Sequence, residues 1–228
     1  MNHDYNICCA ELVKVSKVFT RSGIEPTAIN NVSLKVNRGE LFLLLGPSGS
    51  GKTTLLTLLA GLQKPSSGEV YIFGKRVQDY TPSELQKIRA QQMGFIFQTF
   101  CLIDSLRVLD NVTLVMKFAG INERSARKHA IECLKKFEVA HLINEYPGKL
   151  SQGEKQRVAV ARAIANDAKM ILADEPTGSL ATEQGMAIIK FLHDCVKRDG
   201  ISVVIASHDD RISKYADWVL HLRDGLLI

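Results

Sequence analysis

Nine consecutive residues, Gly46-Pro47-Ser48-Gly49-Ser50-Gly51-Lys52-Thr53-Thr54, constrain this chain more than any other stretch. They satisfy the pattern G-x-x-x-x-G-K-[ST] and lie between an apolar run, Leu41 to Leu45, and a helix-like run, Leu55 to Ala60. Glycines let backbone N–H groups turn toward phosphate oxygens, and the positive end of the following helix dipole faces the same anion. Lys52 is placed to neutralise β- and γ-phosphates and Thr53 to offer its hydroxyl to Mg²⁺. Gly46, Ser48, Gly49, Ser50, Gly51 and Thr54 complete the cradle. A glycine turn that only joins a strand to a helix has the same outline, but the strand before and the helix after favour a nucleoside triphosphate site.

At 228 residues the chain can build one sizeable core, or a core with an inserted lobe. Its 46% apolar and 23% charged residues are ordinary for a globular protein. The net charge of +5 comes from scattered Lys and Arg, which reads as a solvated surface, and no nucleic-acid partner is expected. No apolar run approaches the roughly eighteen residues that a membrane span requires, and the first residues carry no secretory signal pattern. Five cysteines without C-x-x-C spacing argue against a disulfide framework and a zinc site, and fit a reducing cytoplasm.

Before the loop, Glu11 to Phe19 and Ile29 to Val36 read as strands separated by a Gly- and Pro-containing loop at Arg21 to Pro26. After it, Glu69 to Phe73 reads as a strand, and Thr81-Pro82-Ser83-Glu84 as a capping box with proline at the first helical position. Met93 to Phe97 is a short apolar run ended by Gln98. Strand signals then stop, and helical stretches appear at Val108 to Ala119 and Asn122 to Phe137, which suggests a helical lobe inserted into an α/β pattern. A further helix opens at Ser151, strands recur at Met170 to Ala173 and Ile201 to Ala206, and a helix from Thr182 ends before Gly200. Trp218 to Ile228 reads as a closing hairpin. The expected division is a nucleotide-binding core at 1–91 and 165–228 with an inserted helical subdomain at 92–164, all within one domain.

Asp174 and Glu175 follow a buried strand, where paired carboxylates are costly unless a cation or a reacting water uses them. Asp174 suits the metal shell, and Glu175 suits a general base that polarises the attacking water. Leu150-Ser151-Gln152-Gly153-Glu154-Lys155-Gln156-Arg157 is, physically, another capping box. The same helix N-terminus, with Ser151 and Gly153, also makes a second anion-binding surface.

Taken in order, the P-loop, Gln98, the Leu150 to Arg157 signature, Asp174-Glu175 and Ser207-His208 resemble the ATP-binding cassette (ABC) ATPases over nearly the whole chain. The resemblance implies an α/β fold: a P-loop NTPase (RecA-like) core with an antiparallel β subdomain and an inserted α-helical subdomain. It implies ATP and Mg²⁺ as cofactors, with ATP sandwiched in a homodimer between the P-loop of one copy and Ser151–Gly153 of the other. Phe19 is similar in position to the aromatic residue that stacks on adenine, Gln98 to the glutamine that touches Mg²⁺ and reports nucleotide state, and His208 to the histidine that contacts the γ-phosphate. Two positions depart from the family pattern. Gln152 replaces a signature glycine, and Ser179-Leu180-Ala181 lacks the carboxylate that usually ends the D-loop.

The wording around Gln98, Asp174 to Gly178 and Ser207 to Arg211 is similar to the ATPases of macrolide exporters, lipoprotein-releasing systems and haem exporters. The expected function is ATP hydrolysis that powers a separate integral membrane permease, for export or lipid extraction, with Thr99 to Val115 as its docking groove. Through that permease the chain would sit peripherally on the cytoplasmic face of the membrane. An ATPase that signals through a permease-like partner without transport, as in cell division, is the alternative.

Overall fold

The computed structural model describes residues 8–19, 27–178 and 180–228. The loop expected at Arg21 to Pro26 and Ser179 of the D-loop segment lie outside them. Two sheets organise the chain. The first is antiparallel, in the order β2-β1-β4-β5, built from β1 (Cys8–Val18), β2 (Thr27–Asn37), β4 (Ser67–Ile72) and β5 (Lys75–Arg76). The second runs β10-β9-β3-β8-β7-β6, from β3 (Leu41–Leu45), β6 (Met93–Ile96), β7 (Met170–Asp174), β8 (Ser202–Ser207), β9 (Trp218–Arg223) and β10 (Leu226–Leu227). All neighbours in it are parallel except the terminal β9–β10 hairpin, which turns at Asp224 and Gly225 with positive φ at both.

The central strands are near-continuous apolar runs because both faces of their sheet are covered. Leu41, Leu43 and Leu45 enter one hydrophobic core with Ile171, Val203 and Ile205. Phe42 and Leu44 enter the other with Met170, Leu172 and Val204. In that second core α1 (Lys52–Leu59) is packed between the two sheets through Leu55, Leu58 and Leu59. The first core holds α3 (Val108–Phe118), α4 (Glu123–Lys136), α5 (Gln152–Ile164) and α6 (Thr182–Asp199). α2 (Pro82–Gln92) opens on the expected capping box, with the Glu84 N–H donating to Thr81 Oγ1 at 3.2 Å and Thr81 N–H to Glu84 Oε2 at 2.7 Å.

The expected division starts the inserted helical subdomain at residue 92. Met93 to Ile96 is grouped there with the helical insertion, yet β6 pairs in parallel with β7, Met93 opposite Met170 and Ile96 opposite Ala173. A four-residue strand whose partner lies far along the chain leaves no local signal beyond its apolar side chains. The helical segment therefore leaves the sheet only after Ile96.

Candidate functional site

Register brings four loops to one place. Leu45 lies opposite Ser207, Asp174 opposite Ala206, and Ile96 opposite Ala173, so β3, β8, β7 and β6 end together. In parallel sheets, ligands bind in the crevice beyond the carboxyl ends of the strands. The loop after β3 is Gly46 to Gly51, that after β6 reaches Gln98, that after β7 carries Glu175, and that after β8 carries His208. They enclose a cavity of about 560 Å³ lined by Ala28, Pro47, Ser48, Gly49, Gly51, Lys52, Thr53, Thr54, Gln98, Asp174, Glu175 and His208.

The loop glycines are required by close backbone approach. A Cβ on Gly51, whose φ is +104°, would stand 2.3 Å from the carbonyl oxygen of Ala28, and one on Gly46 would stand 2.2 Å from that of Leu222. The C-terminal hairpin thus buttresses the loop, and Gly225 N–H donates to the Ser50 carbonyl at 3.1 Å. Helix α1 starts at Gly51 without a capping side chain, so its first N–H groups face the cavity edge unclaimed by side chains. The buried Ser50 Oγ has no hydrogen-bond partner among the described residues. An uncapped helix start and an orphan hydroxyl both suit an anion with several oxygens.

Lys52 is buried and donates to the carbonyls of Gly46 at 2.7 Å and Pro47 at 3.0 Å. Its ammonium also lies 3.6 Å from Glu175 Oε1. Thr53 Oγ1 donates to Asp174 Oδ2 at 2.7 Å. Burial pushes the Asp174 carboxyl above its ordinary value and the Glu175 charge adds to this; the Thr53 hydroxyl and the Lys52 ammonium offset only part. Glu175 has φ +47°, a left-handed conformation that costs a non-glycine residue of order 1–3 kcal/mol. That backbone aims its carboxylate at Lys52, at Ser207 Oγ (3.2 Å) and at His208 Nδ1 (3.0 Å).

Asp174, Thr53 and Gln98 present carboxylate, hydroxyl and amide oxygens to one cavity, a donor set that suits a hard divalent cation such as Mg²⁺ rather than zinc or copper. Ser151 and Gly153 do not line this cavity, and neither does Phe19. Phe19 is 37% exposed at the end of β1 with the Lys17 ammonium over its ring. Ser151 caps α5 as expected: its N–H donates to Glu154 Oε2 at 2.8 Å, and Glu154 N–H returns a bond to Ser151 Oγ at 3.4 Å. Gly153 faces Gln184 and Arg157 instead. Three contributors escaped the sequence reading as site residues: Ala28, which reaches the cavity from another sheet; Pro47, whose carbonyl receives Lys52; and Ser207, whose hydroxyl holds Glu175. Pro47 lies within the glycine-rich loop and Ser207 beside His208, so both carried a local signal, whereas Ala28 carried none.

A second cavity, of about 340 Å³, opens beside the loop after Gln98 and is mostly apolar, lined among others by Leu62, Phe95, Phe97, Ile103, Leu114, Val115 and Phe118. Leu62, Ile103 and Phe118 are exposed at 50%, 42% and 62%.

Residues 29–178 match the family model described as ABC transporter. The chain belongs to the ABC transporter family. It is 41% identical over 219 residues to an uncharacterized ABC transporter ATP-binding protein of Methanocaldococcus jannaschii, MJ0796, covering 94% of this chain and 93% of that one. Macrolide export ATP-binding/permease protein MacB of Pectobacterium atrosepticum is 37% identical over 96% of this chain, which spans 33% of that longer protein. Among solved structures, the dimeric post-hydrolysis state of the MJ0796 cassette bound to ADP and Pi superposes with a TM-score of 0.91 at 39% identity, covering 96% of each chain. The fold is accordingly that of an ABC cassette: a P-loop NTPase core with mixed sheets. No described helix of this cassette is long and apolar enough to cross a membrane.

Proposed function

We propose that this chain is the ATP-hydrolysing subunit of an ABC transporter, working as an ATP-sandwich homodimer that powers a separate membrane permease. The observation that carries the reading is the separation of two half-sites. Lys52, Thr53, Asp174, Glu175 and His208 converge on one cavity, while Ser151 and Gly153, a second anion-binding surface, stand outside it. A second copy is the natural source of the missing half, and the dimeric cassette structures of MJ0796 support that arrangement.

In this reading the loop from Gly46 to Thr54 holds the phosphates through its N–H groups, with Ser48, Gly49 and Ser50 forming its turn. Lys52 exchanges its carbonyl partners for β- and γ-phosphate oxygens. Phe19 offers its exposed ring to the adenine. Thr53, Asp174 and Gln98 hold Mg²⁺, which when bound neutralises charge developing on the phosphates. Glu175 accepts a proton from the attacking water, and His208, hydrogen-bonded to Glu175, orients that carboxylate and the γ-phosphate. The domain partition consistent with β6 is a core that includes residues up to Gln98, followed by the helical insertion. The apolar cavity beside Leu62, Ile103 and Phe118 is the docking surface for a cytoplasmic helix of the permease, which would hold the cassette on the inner face of the membrane. The MacB relatives support an export role.

The test is affinity purification of tagged Glu175→Gln protein with ATP and Mg²⁺ from detergent-solubilised membranes. A co-purifying integral membrane permease is the expected result. Recovery of the cassette alone would contradict it, and a membrane partner without a transport path would move the reading to signalling.

A further inference from the structure

Helix α5 carries two side chains that donate hydrogen bonds to the backbone of other loops. Gln156 is 2% exposed, and its amide nitrogen donates to the carbonyl of Pro176 at 2.6 Å. Half-buried Arg162 donates through both terminal nitrogens, to the carbonyls of Cys101 at 2.5 Å and Phe100 at 2.7 Å. Among the described residues it has no carboxylate partner. Both grips fall next to residues of the phosphate cavity: Pro176 follows Glu175, and Phe100 lies two residues after Gln98.

Both gripped loops are also strained. Glu175 has φ +47°, and Phe100 and Cys101 follow one another at +61° and +48°. Non-glycine residues keep such conformations only where the surroundings over-determine them, and they concentrate at functional sites. Around Glu175 those surroundings are the Ala206 carbonyl, which accepts from its N–H at 2.9 Å, the Gly178 N–H, and the carbonyl of Pro176 held by Gln156. Around Phe100 and Cys101 they include the guanidinium fork, which fits two carbonyls where a point charge would not. The N-terminus of the same helix is Ser151, Gln152 and Gly153.

The geometry points to α5 as a rigid coupling bar, with Gln156 and Arg162 as its positioning residues. On the proposed functional reading, Ser151–Gly153 meets the nucleotide of the partner copy. Displacement of α5 by that contact then moves Pro176, and with it Glu175, through Gln156, and moves the loop behind Gln98 through Arg162. Engagement with one nucleotide thereby sets the catalytic carboxylate over the other. Ala181 leaves the D-loop segment without a carboxylate, so this backbone route through α5 carries the communication between the two sites.

The test compares full-length wild type, Gln156→Glu and Arg162→Lys. Gln156→Glu keeps the shape and removes the donor; Gln156→Asn, one methylene short of Pro176, is the milder second variant should the first not fold. ATP hydrolysis is measured across ATP concentration, with nucleotide affinity measured separately. A positioning role predicts kcat lowered about tenfold or more, half-saturating ATP changed less than twofold, and a Hill coefficient falling from above 1 in wild type toward 1. Unchanged kcat and cooperativity in folded variants beside an active wild type would overturn the coupling alone. So would a loss confined to nucleotide affinity. A wild type that does not turn over ATP would overturn the functional reading itself.

Discussion

Thr53 Oγ1 and Asp174 Oδ2, both lining the cavity beyond the strand ends, share a 2.7 Å hydrogen bond. It joins the start of α1 to the end of β7, and it presents two oxygen donors side by side where a hard cation would replace the shared proton contact. Thr53→Val removes one donor without changing the side chain's shape. We expect Mn²⁺ affinity in the presence of ATP, read by electron paramagnetic resonance, to weaken at least about tenfold, with Asp174→Asn weakening it further. Affinity unchanged in both would remove these residues from the metal shell.

Among the described residues lining the cavity, Lys52 is the one Lys or Arg, and it stands 3.6 Å from Glu175. Lys52→Ala deletes the group proposed to meet the phosphates and leaves Glu175 without its ammonium neighbour. Binding of a fluorescent ATP analogue should weaken by about 100-fold, equivalent to roughly 2.8 kcal/mol. Binding at wild-type strength would sink the assignment of the loop.

The glycines give a structural prediction with an internal control. Gly51 and Gly49 both have positive φ, but a Cβ on Gly51 meets Ala28 O at 2.3 Å, whereas one on Gly49 meets nothing within 4 Å. Gly49→Ala should lower the unfolding free energy by about 1 kcal/mol, from backbone conformation alone. Gly51→Ala should lose clearly more in the same urea titration, because β2 must give way. Equal losses would mean that the contact with Ala28 is not tight.

Much of this site was legible because its chemistry is local in sequence. The loop, Asp174-Glu175 and His208 each sit at the end of an apolar run that could only be a buried strand, and such strands place their carboxyl ends at one edge. Both capping boxes, at Thr81 and Ser151, were readable for the same reason: partners three residues apart need no tertiary knowledge. What was not legible depends on long-range pairing. β6 is recognisable as a sheet strand only through β7, Ser207 as a support for Glu175 only through its hydroxyl, and Gln156 and Arg162 only through carbonyls 20 and about 60 residues away. Phe19 remains outside the cavity lining, and its adenine role rests on the proposal above.

The α5 cap supplies a pH signature. Hydrogen bonds from the Ser151 hydroxyl and N–H hold the Glu154 carboxyl below its ordinary value of 4.5. A depressed carboxylate contributes stability that is fully present above its unfolded value and is lost as pH falls through the folded one. The contribution should therefore persist at neutral pH and fade only below about 4.5. Ser151→Ala should raise the Glu154 titration midpoint toward 4.5 in a carbon-detected NMR titration. A midpoint unmoved by the substitution would show that the box does not form in solution.

In the proposed sandwich two copies close around ATP, each supplying what the other lacks. Glu175→Gln removes the proposed base, keeps Lys52, Ser151 and Gly153, and should trap that state. Light scattering coupled to size exclusion is the direct measurement. With ATP and Mg²⁺ the Glu175→Gln protein should run at twice the mass of the 25.3 kDa chain, and return to a single copy when Lys52→Ala is added. A protein that remains a single copy at saturating ATP and Mg²⁺ would contradict the sandwich.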